Sequence, residues 1–249
     1  MDKLIYTAAS GLKSHMAAQT AIANNMANAS TIGFRADRVV FDQLQVNGPG
    51  ISARQPASEE IGDFDRRQGT IMQTGRALDV AVAGDAWIAV QGTDGTEAYT
   101  RRGDLRIATS GVLETGDGFP VIGAGGAPIT VPPAERVTIG PDGAVQIVPI
   151  GSAPGQPPQV IETIKLASIK GSDTVKGLDN LLHVRGGGVL PRDLEAKVQS
   201  GAIEGSNVNL TEALVDMIEN QRSYEVQANL LKEAKTMDES SAALMRLPG

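Results

Sequence analysis

Few side chains in this chain of 249 residues are of the types that carry out chemistry. Histidine occurs twice, at His15 and His183, and cysteine does not occur at all. The lack of cysteine excludes disulfides, thiolate zinc sites, iron–sulfur clusters and cysteine nucleophiles. A catalytic triad or a histidine metal site also needs more convergent partners than two isolated histidines supply. The sequence therefore predicts no catalytic residues and no metal ligands.

Two other patterns resemble sites, but their spacing favours ordinary loops. The acidic run from Glu59 to Asp65, beside Arg66 and Arg67, lacks the spacing of a calcium-binding loop, so we predict a solvated charged loop there. The glycine-rich stretches 123–126 and 186–188 lack both a complete G-x-G-x-x-G and a Walker lysine. We expect no cofactor.

Charge and hydropathy exclude two further classes of protein. The chain carries 22 basic and 29 acidic residues, which gives a formal net charge of −7. A general nucleic-acid binder needs a basic surface, so we expect no nucleic-acid partner. No apolar run approaches the roughly 18 residues of a membrane span, and Lys13, Ser14 and His15 interrupt the apolar N-terminal stretch. We therefore expect neither membrane insertion nor a cleavable signal peptide.

A long amphipathic helix is predicted near each end of the chain. In the first, apolar residues alternate in steps of three and four between Leu4 and Met26, and the turn-like segment from Asn28 to Gly33 ends it. In the second, Asn209 is the predicted N-cap, with Glu212 completing a capping box. The predicted stripes have these members: Ile5, Ala8, Leu12, Met16, Gln19, Ile22 or Ala23, and Met26 in the first helix, and Leu210, Leu214, Met217, Gln221, Tyr224, Ala228, Leu231, Lys235, Asp238, Ala242 and Met245 in the second.

The middle of the chain has the period-two texture of short strands. Examples are Leu78–Val82, Trp87–Val90 and Phe119–Ile122, separated by turns such as Thr93–Thr96 and Pro141–Gly143. We predict a mixed α+β fold, with an antiparallel barrel-like or sandwich-like central domain flanked by the two helices. The expected divisions are a terminal helical assembly domain (1–32 and 206–249), an extended or β linker region (33–75 and 190–205) and a β-rich central domain (76–189).

The apolar stripes indicate the class of function. An isolated amphipathic helix is marginal in water, and two helices packed on each other still leave one side of each exposed. Each leucine or methionine that becomes buried contributes roughly 1.5–3 kcal/mol. We therefore favour a subunit of a helical or tubular assembly. The alternative is a soluble β-barrel enzyme or binding module whose helices only brace the barrel.

A resemblance to a known family supports the first interpretation. The thirteen residues Ala23–Arg35 resemble the A-N-N-x-A-N-x-x-T-x-G-[FY]-[KR] signature of bacterial flagellar rod and hook proteins. The segments 79–84, 99–105 and 206–225 are also similar to that family. Within it, the opening Met1–Gly11 looks most like the proximal-rod members, and distal-rod or hook-type axial subunits are the alternatives.

The resemblance implies a non-enzymatic structural subunit of the flagellar basal-body rod that transmits torque. Such a subunit would leave the cell through the flagellar type III export apparatus and assemble in the periplasm with other rod proteins and copies of itself. Its terminal helices would form a coiled-coil layer on assembly. The expected hinges are Gly33 and Gly201, and the expected interface residues are Ile5, Leu12, Met16, Ile22, Asn24, Asn25, Met26, Leu210, Leu214, Met217, Ile218, Tyr224 and Leu231.

Overall fold

The computed structural model describes the backbone of residues 2–43, 57–153 and 155–244. Two helices, α1 (Asp2–Ala27) and α2 (Leu210–Leu244), enclose a series of short strands along the chain. The strands are β1 (Asp37–Gln43), β2 (Ala57–Phe64), β3 (Ile71–Gln73), β4 (Val80–Val82), β5 (Ala86–Gln91), β6 (Glu97–Thr100), β7 (Leu105–Ile107), β8 (Leu113–Thr115), β9 (Ala134–Ile139), β10 (Ala144–Pro149), β11 (Gln159–Thr163), β12 (Leu166–Ser168), β13 (Thr174–Lys176), β14 (Leu182–Val184), β15 (Val198–Ser200) and β16 (Ala202–Glu204). The mixed α+β class is confirmed.

The chain divides into two compact units. The first contains α1, the hairpin of β1 and β2, and α2. The second contains the segment Asn28–Ala36 and everything from Asp65 to Asn207. We refer to them below as the helical unit and the β-rich unit.

In the helical unit, both predicted helices form, and the second begins where its cap was predicted. The Oδ1 atom of Asn209 accepts hydrogen bonds from the backbone N–H groups of Thr211 (3.1 Å) and Glu212 (3.4 Å), which satisfies two of the donors that a helix leaves unpaired at its start. The charged loop predicted from Glu59 was wrong, because β2 pairs antiparallel with β1 along this stretch. The predicted extended stretch around Pro49 lies outside the described residues.

The β-rich unit consists of several small antiparallel sheets. One has the strand order β12-β5-β6-β14-β13, another has the order β11-β10-β9, and β15-β4, β16-β3 and β7-β8 form two-stranded ribbons. None of these sheets closes into a barrel within the described residues. The segment predicted as a strand at Phe119–Ile122 forms only isolated bridges, and Pro120 within it has no N–H to donate to a ladder.

Every sheet of the β-rich unit except the β16-β3 ribbon contributes described residues to one apolar core. Strand residues such as Val80, Ile88, Val90 and Leu113 are fully buried in it, together with Val121 from the bridged segment. Every such side chain contributes roughly 1.5–3 kcal/mol when it is removed from water. The small sheets are therefore held together by a common interior rather than by continuous hydrogen-bonded strands.

Candidate assembly surface

Helices α1 and α2 pack antiparallel through a narrow seam of small residues. Ala8 and Ala21 on α1 and Ala213 and Ala234 on α2 are buried there. Gly11 lies so close to α2 that a Cβ atom added to it would be 2.4 Å from the Nε2 atom of Gln227. Among the described side chains of the two helices, the fully buried apolar ones are thus alanines, whereas the larger apolar ones are partly buried or exposed.

A polar pair crosses this seam near its centre. The Nδ1 atom of His15 lies 2.8 Å from the Oδ1 atom of Asn220, and the Nδ2 atom of Asn220 donates to the backbone carbonyl of His15 at 2.9 Å. A polar side chain within an apolar helix contact is satisfied in one register only, since a slip along the helix would leave it unpaired. The histidine predicted to have no catalytic role thus has a structural contact.

A second apolar stripe on α2 remains exposed. Leu214 and Ile218 lie one turn apart with 45% and 52% of their surface accessible, and Val226 and Leu230 form a similar pair at 60% and 50%. We call this set the α2 stripe, with these members: Leu210, Leu214, Val215, Ile218, Val226, Leu230 and Met237. Met16 on α1 is also exposed. Each pair forms a small exposed apolar patch, and exposed apolar patches on a folded protein are candidate sites of protein–protein contact.

The predicted interface residues fall into two groups in the structure. Met16, Leu210, Leu214 and Ile218 are exposed, whereas the following are partly buried: Leu12, Ile22, Asn24, Asn25, Met26, Met217, Tyr224 and Leu231. The side chain of Ile5 lies outside the described set. Sequence reasoning missed Val215, Val226, Leu230 and Met237, although the four-residue spacing of Leu214, Ile218, Val226 and Leu230 is visible in the sequence. The role of these residues in assembly stays a prediction.

Asn24 and Asn25 make hydrogen bonds inside the helical unit. The Nδ2 atom of Asn25 donates to the backbone carbonyl of Asp37 (3.0 Å), and its Oδ1 atom accepts from the N–H group of Asp37 (2.7 Å). Asn24 donates to the carboxylate of Asp37. The two amides therefore attach the end of α1 to the start of β1. Asp37 lies 13 positions after Asn24 and 12 after Asn25, and the sequence did not predict this contact.

The two predicted hinge glycines both adopt positive φ, at 69° for Gly33 and 73° for Gly201. Gly33 is also tightly packed, because a Cβ atom there would lie 2.4 Å from the backbone carbonyl carbon of Arg101. Gly201 joins β15 to β16 and has more room, with Gly75 as its nearest neighbour at 3.7 Å. Whether either glycine acts as a hinge stays a prediction.

This packing leads to a matched pair of substitutions. Gly75 has a φ of 73° but no atom within 4 Å of an added Cβ, so Gly75→Ala tests the cost of the backbone conformation alone. We expect it to lower the free energy of unfolding by about 1–2 kcal/mol. Gly33→Ala adds overlap with a rigid backbone and should cost about 2–4 kcal/mol. Urea unfolding followed by Trp87 fluorescence measures both, and equal losses would contradict the close approach at Gly33.

A buried ionic cluster lies in the β-rich unit. The carboxylate of Glu204 is fully buried and pairs with Arg35 (Nη1–Oε1, 2.5 Å) and with Arg101 (Nη1–Oε2, 3.0 Å). It also accepts a hydrogen bond from the backbone N–H of Gly69 at 2.8 Å. The guanidinium carbons of Arg35 and Arg101 lie 5.7 and 5.3 Å from the centre of the Trp87 ring, within cation–π range. We call these four side chains the Glu204 cluster.

The Glu204 cluster joins segments that are distant in the sequence. Arg35 is the last residue of the signature segment, Arg101 directly follows β6, and Glu204 is the last residue of β16. Asn207 extends the connection, since its Oδ1 atom accepts from the N–H of Ala36 (2.8 Å). Its Nδ2 atom donates to the carbonyls of residues 65 and 67. Sequence reasoning missed this cluster, although two of the stretches quoted for the family resemblance, 23–35 and 99–105, contain its two arginines.

The described part of the chain contains neither a membrane-spanning helix nor a group of side chains that could hold a metal ion. Neither helix there is long and apolar enough to cross a membrane. No three histidine, aspartate or glutamate side chains converge there as a metal site requires.

Comparison with known proteins gives matches along the whole chain. Residues 5–35 match the family model for flagella basal body rod proteins. Residues 81–147 match the D1 domain of the flagellar hook protein FlgE/F/G, and residues 199–244 match the C-terminal region of flagellar basal body rod FlgEFG proteins. The three matched segments include both helices and the centre of the β-rich unit.

Individual relatives extend over almost the full length. The flagellar basal-body rod protein FlgF of Salmonella typhimurium is 36% identical over 256 residues, covering 99% of this chain and 98% of the relative. FlgF of Escherichia coli is 36% identical, with 93% of each chain covered. The flagellar basal-body rod protein FlgG of Bacillus subtilis is 30% identical, with 99% of each chain covered.

Proposed function

This chain belongs to the family of flagellar basal-body rod proteins, and we propose that it polymerises through α1 and α2. It is a structural subunit of the rod, located in the flagellar basal body and serving motility. The two helices are the proposed surfaces that bind neighbouring subunits and pass torque between them.

The observation that carries the proposal is the α2 stripe. Its seven large apolar residues keep 45–60% of their surface accessible, although α2 already packs against α1. Among the described side chains of the two helices only alanines are fully buried apolar residues, so much of the larger apolar surface of α2 is still accessible for other contacts. Apolar area that is still in water after folding is the area whose burial favours association.

We infer that neighbouring subunits cover the stripe by packing helix against helix, which gives a coiled-coil layer in the assembled rod. The neighbours are copies of this chain and other rod proteins. The terminal segments 1–32 and 206–249 act as the assembly domain, and the β-rich unit supplies a stiff body for transmitting torque. The subunit reaches the periplasm by the flagellar type III export apparatus and has no catalytic function.

The proximal part of the rod is the proposed position. Identity with FlgF of Salmonella typhimurium and of Escherichia coli (36% each) is higher than with FlgG of Bacillus subtilis (30%). The opening Met1–Gly11 favours the same assignment. A distal-rod position is the alternative. In the following experiment, the intact chain should be incorporated with purified proximal-rod partners if the position is proximal, and with distal-rod partners if it is distal.

Removal of either helix tests the assembly role. Variants that lack residues 1–30 or residues 210–249 are mixed with purified rod proteins, and their incorporation into rods is measured by sedimentation. We expect both deletions to abolish incorporation, while Trp87 fluorescence reports whether the β-rich unit stays folded. The full-length variant Leu178→Gln is the control, because Leu178 is fully exposed in the β-rich unit. Normal incorporation of a folded deletion variant would contradict the proposal.

A further inference from the structure

A small cleft opens beside the Glu204 cluster in the β-rich unit. It has a volume of about 180 Å³, and its lining residues are Arg66, Asp85, Trp87, Arg101, Ile169 and Lys170. Three of these side chains are cationic and one is a carboxylate, in a chain whose net charge is −7. The cleft is therefore a local concentration of positive charge in an acidic protein.

The positive charge at the back of the cleft is incompletely balanced. Arg35 and Arg101 share the single carboxylate of Glu204, and within the described residues the Nε atoms of both guanidinium groups have no acceptor. Burial lowers the pKa of Arg101, and the nearby Arg35 lowers it further, against the opposing effect of Glu204. Buried charges are costly unless they are paired, so an additional anion near these groups would stabilise the site.

The carboxylate of Asp85 at the mouth of the cleft is already affected by these positive charges. The Nζ atom of Lys170 lies 2.7 Å from the Oδ2 atom of Asp85, and this contact is the main cause of the lowered pKa of Asp85. Arg101 and Arg35 lower the pKa of Asp85 further. Both partners of the Lys170–Asp85 pair are more than half exposed, so the pair is worth little and Lys170 can exchange its partner.

We propose that this cleft is a carboxylate-binding site that receives an acidic side chain from a neighbouring subunit of the rod. Lys170 and Arg66 stand at the charged rim, and Arg101 lies behind them. Trp87 and Ile169 provide apolar walls for the aliphatic stem of a glutamate or aspartate, and the volume admits one such side chain rather than a larger ligand. Copies of this chain carry 29 acidic residues and supply suitable partners. The claim that a neighbouring subunit supplies the carboxylate rests on the proposed function, whereas the claim that the cleft binds anions does not.

The single tryptophan of the chain lines the cleft and reports on it directly. The anionic quencher iodide and the cationic quencher caesium are compared on the monomer at equal ionic strength. We expect iodide to quench Trp87 more strongly than caesium, despite the net negative charge, and acetate to compete with iodide. Lys170→Gln should reduce the ratio of iodide to caesium quenching about twofold. Lys235→Gln, a lysine that does not line the cleft, should leave it unchanged.

The outcomes separate the two parts of the proposal. Equal or stronger quenching by caesium, or no effect of acetate, would overturn the carboxylate site itself. In assembled rods, iodide should lose its access to Trp87 as the neighbour's side chain enters. Retention of full iodide quenching in intact rods would overturn the neighbour as occupant while leaving the assembly role of the helices untouched.

Discussion

Replacement of Glu204 by glutamine is expected to lower the free energy of unfolding of the β-rich unit by about 3–5 kcal/mol, as removal of one partner from a buried ion pair does. The substitution preserves shape but leaves the guanidinium groups of Arg35 and Arg101 facing each other across a neutral amide. Both arginines are 2% exposed, so water cannot replace the lost carboxylate. The expected loss is a large part of the stability of an ordinary domain.

The measurement is urea unfolding followed by Trp87 fluorescence, because Trp87 lies against both arginines of the cluster. Glu114→Gln is the matched control: Glu114 pairs with the mostly exposed Arg106 at 2.7 Å, so the same chemical change should cost less than about 1 kcal/mol. If Glu204→Gln costs no more than Glu114→Gln, the cluster is not an essential support of the β-rich unit.

The double substitution Leu214→Gln and Ile218→Gln is expected to weaken incorporation into the rod without destabilising the monomer. About half of each side chain is already in water, so the monomer should change by less than about 0.5 kcal/mol, as surface substitutions do. Burial of the remaining area in a subunit contact contributes about 1.5–3 kcal/mol for the pair. Loss of that contribution weakens each contact about 10- to 100-fold.

Incorporation is measured by co-sedimentation with purified rod partners, and monomer stability by thermal unfolding followed by helical circular dichroism. Glu219→Gln and Glu225→Gln together form the control, since both residues are exposed on the same helix and end in a charged group instead of an apolar one. Unchanged incorporation of the Leu214 and Ile218 variant would show that the α2 stripe is not the assembly surface. A large fall in its thermal stability would show that the stripe already has a partner in the monomer.

Features governed by local chemistry could be predicted from the sequence. The two helices follow from their periodicity, and the start of α2 follows from Asn209, whose side chain accepts hydrogen bonds from the N–H groups of Thr211 and Glu212 as an N-cap does. The antiparallel short strands follow from period-two patterning between turns. These signals depend on neighbours within a few residues, which is the range that a sequence pattern records.

Features that depend on distant contacts could not be predicted. The Glu204 cluster joins residues 35, 101 and 204, and no pattern in the sequence indicates that these three residues contact one another. Periodicity also does not indicate which apolar side of α2 packs against α1 within the same chain. In the structure, Met217, Tyr224 and Leu231 of the predicted α2 stripe are partly buried, while Leu210 and Leu214 of the same stripe are exposed.

The most direct test of the central claim is the accessibility of the α2 stripe before and after assembly. The chain has no cysteine, so Ile218→Cys introduces a single reactive thiol on the stripe. We predict rapid maleimide labelling of the monomer, strong protection in the assembled rod, and full labelling again once the rod is dissociated. Equal labelling of monomer and intact rod at this position would contradict the claim that neighbouring subunits cover the stripe.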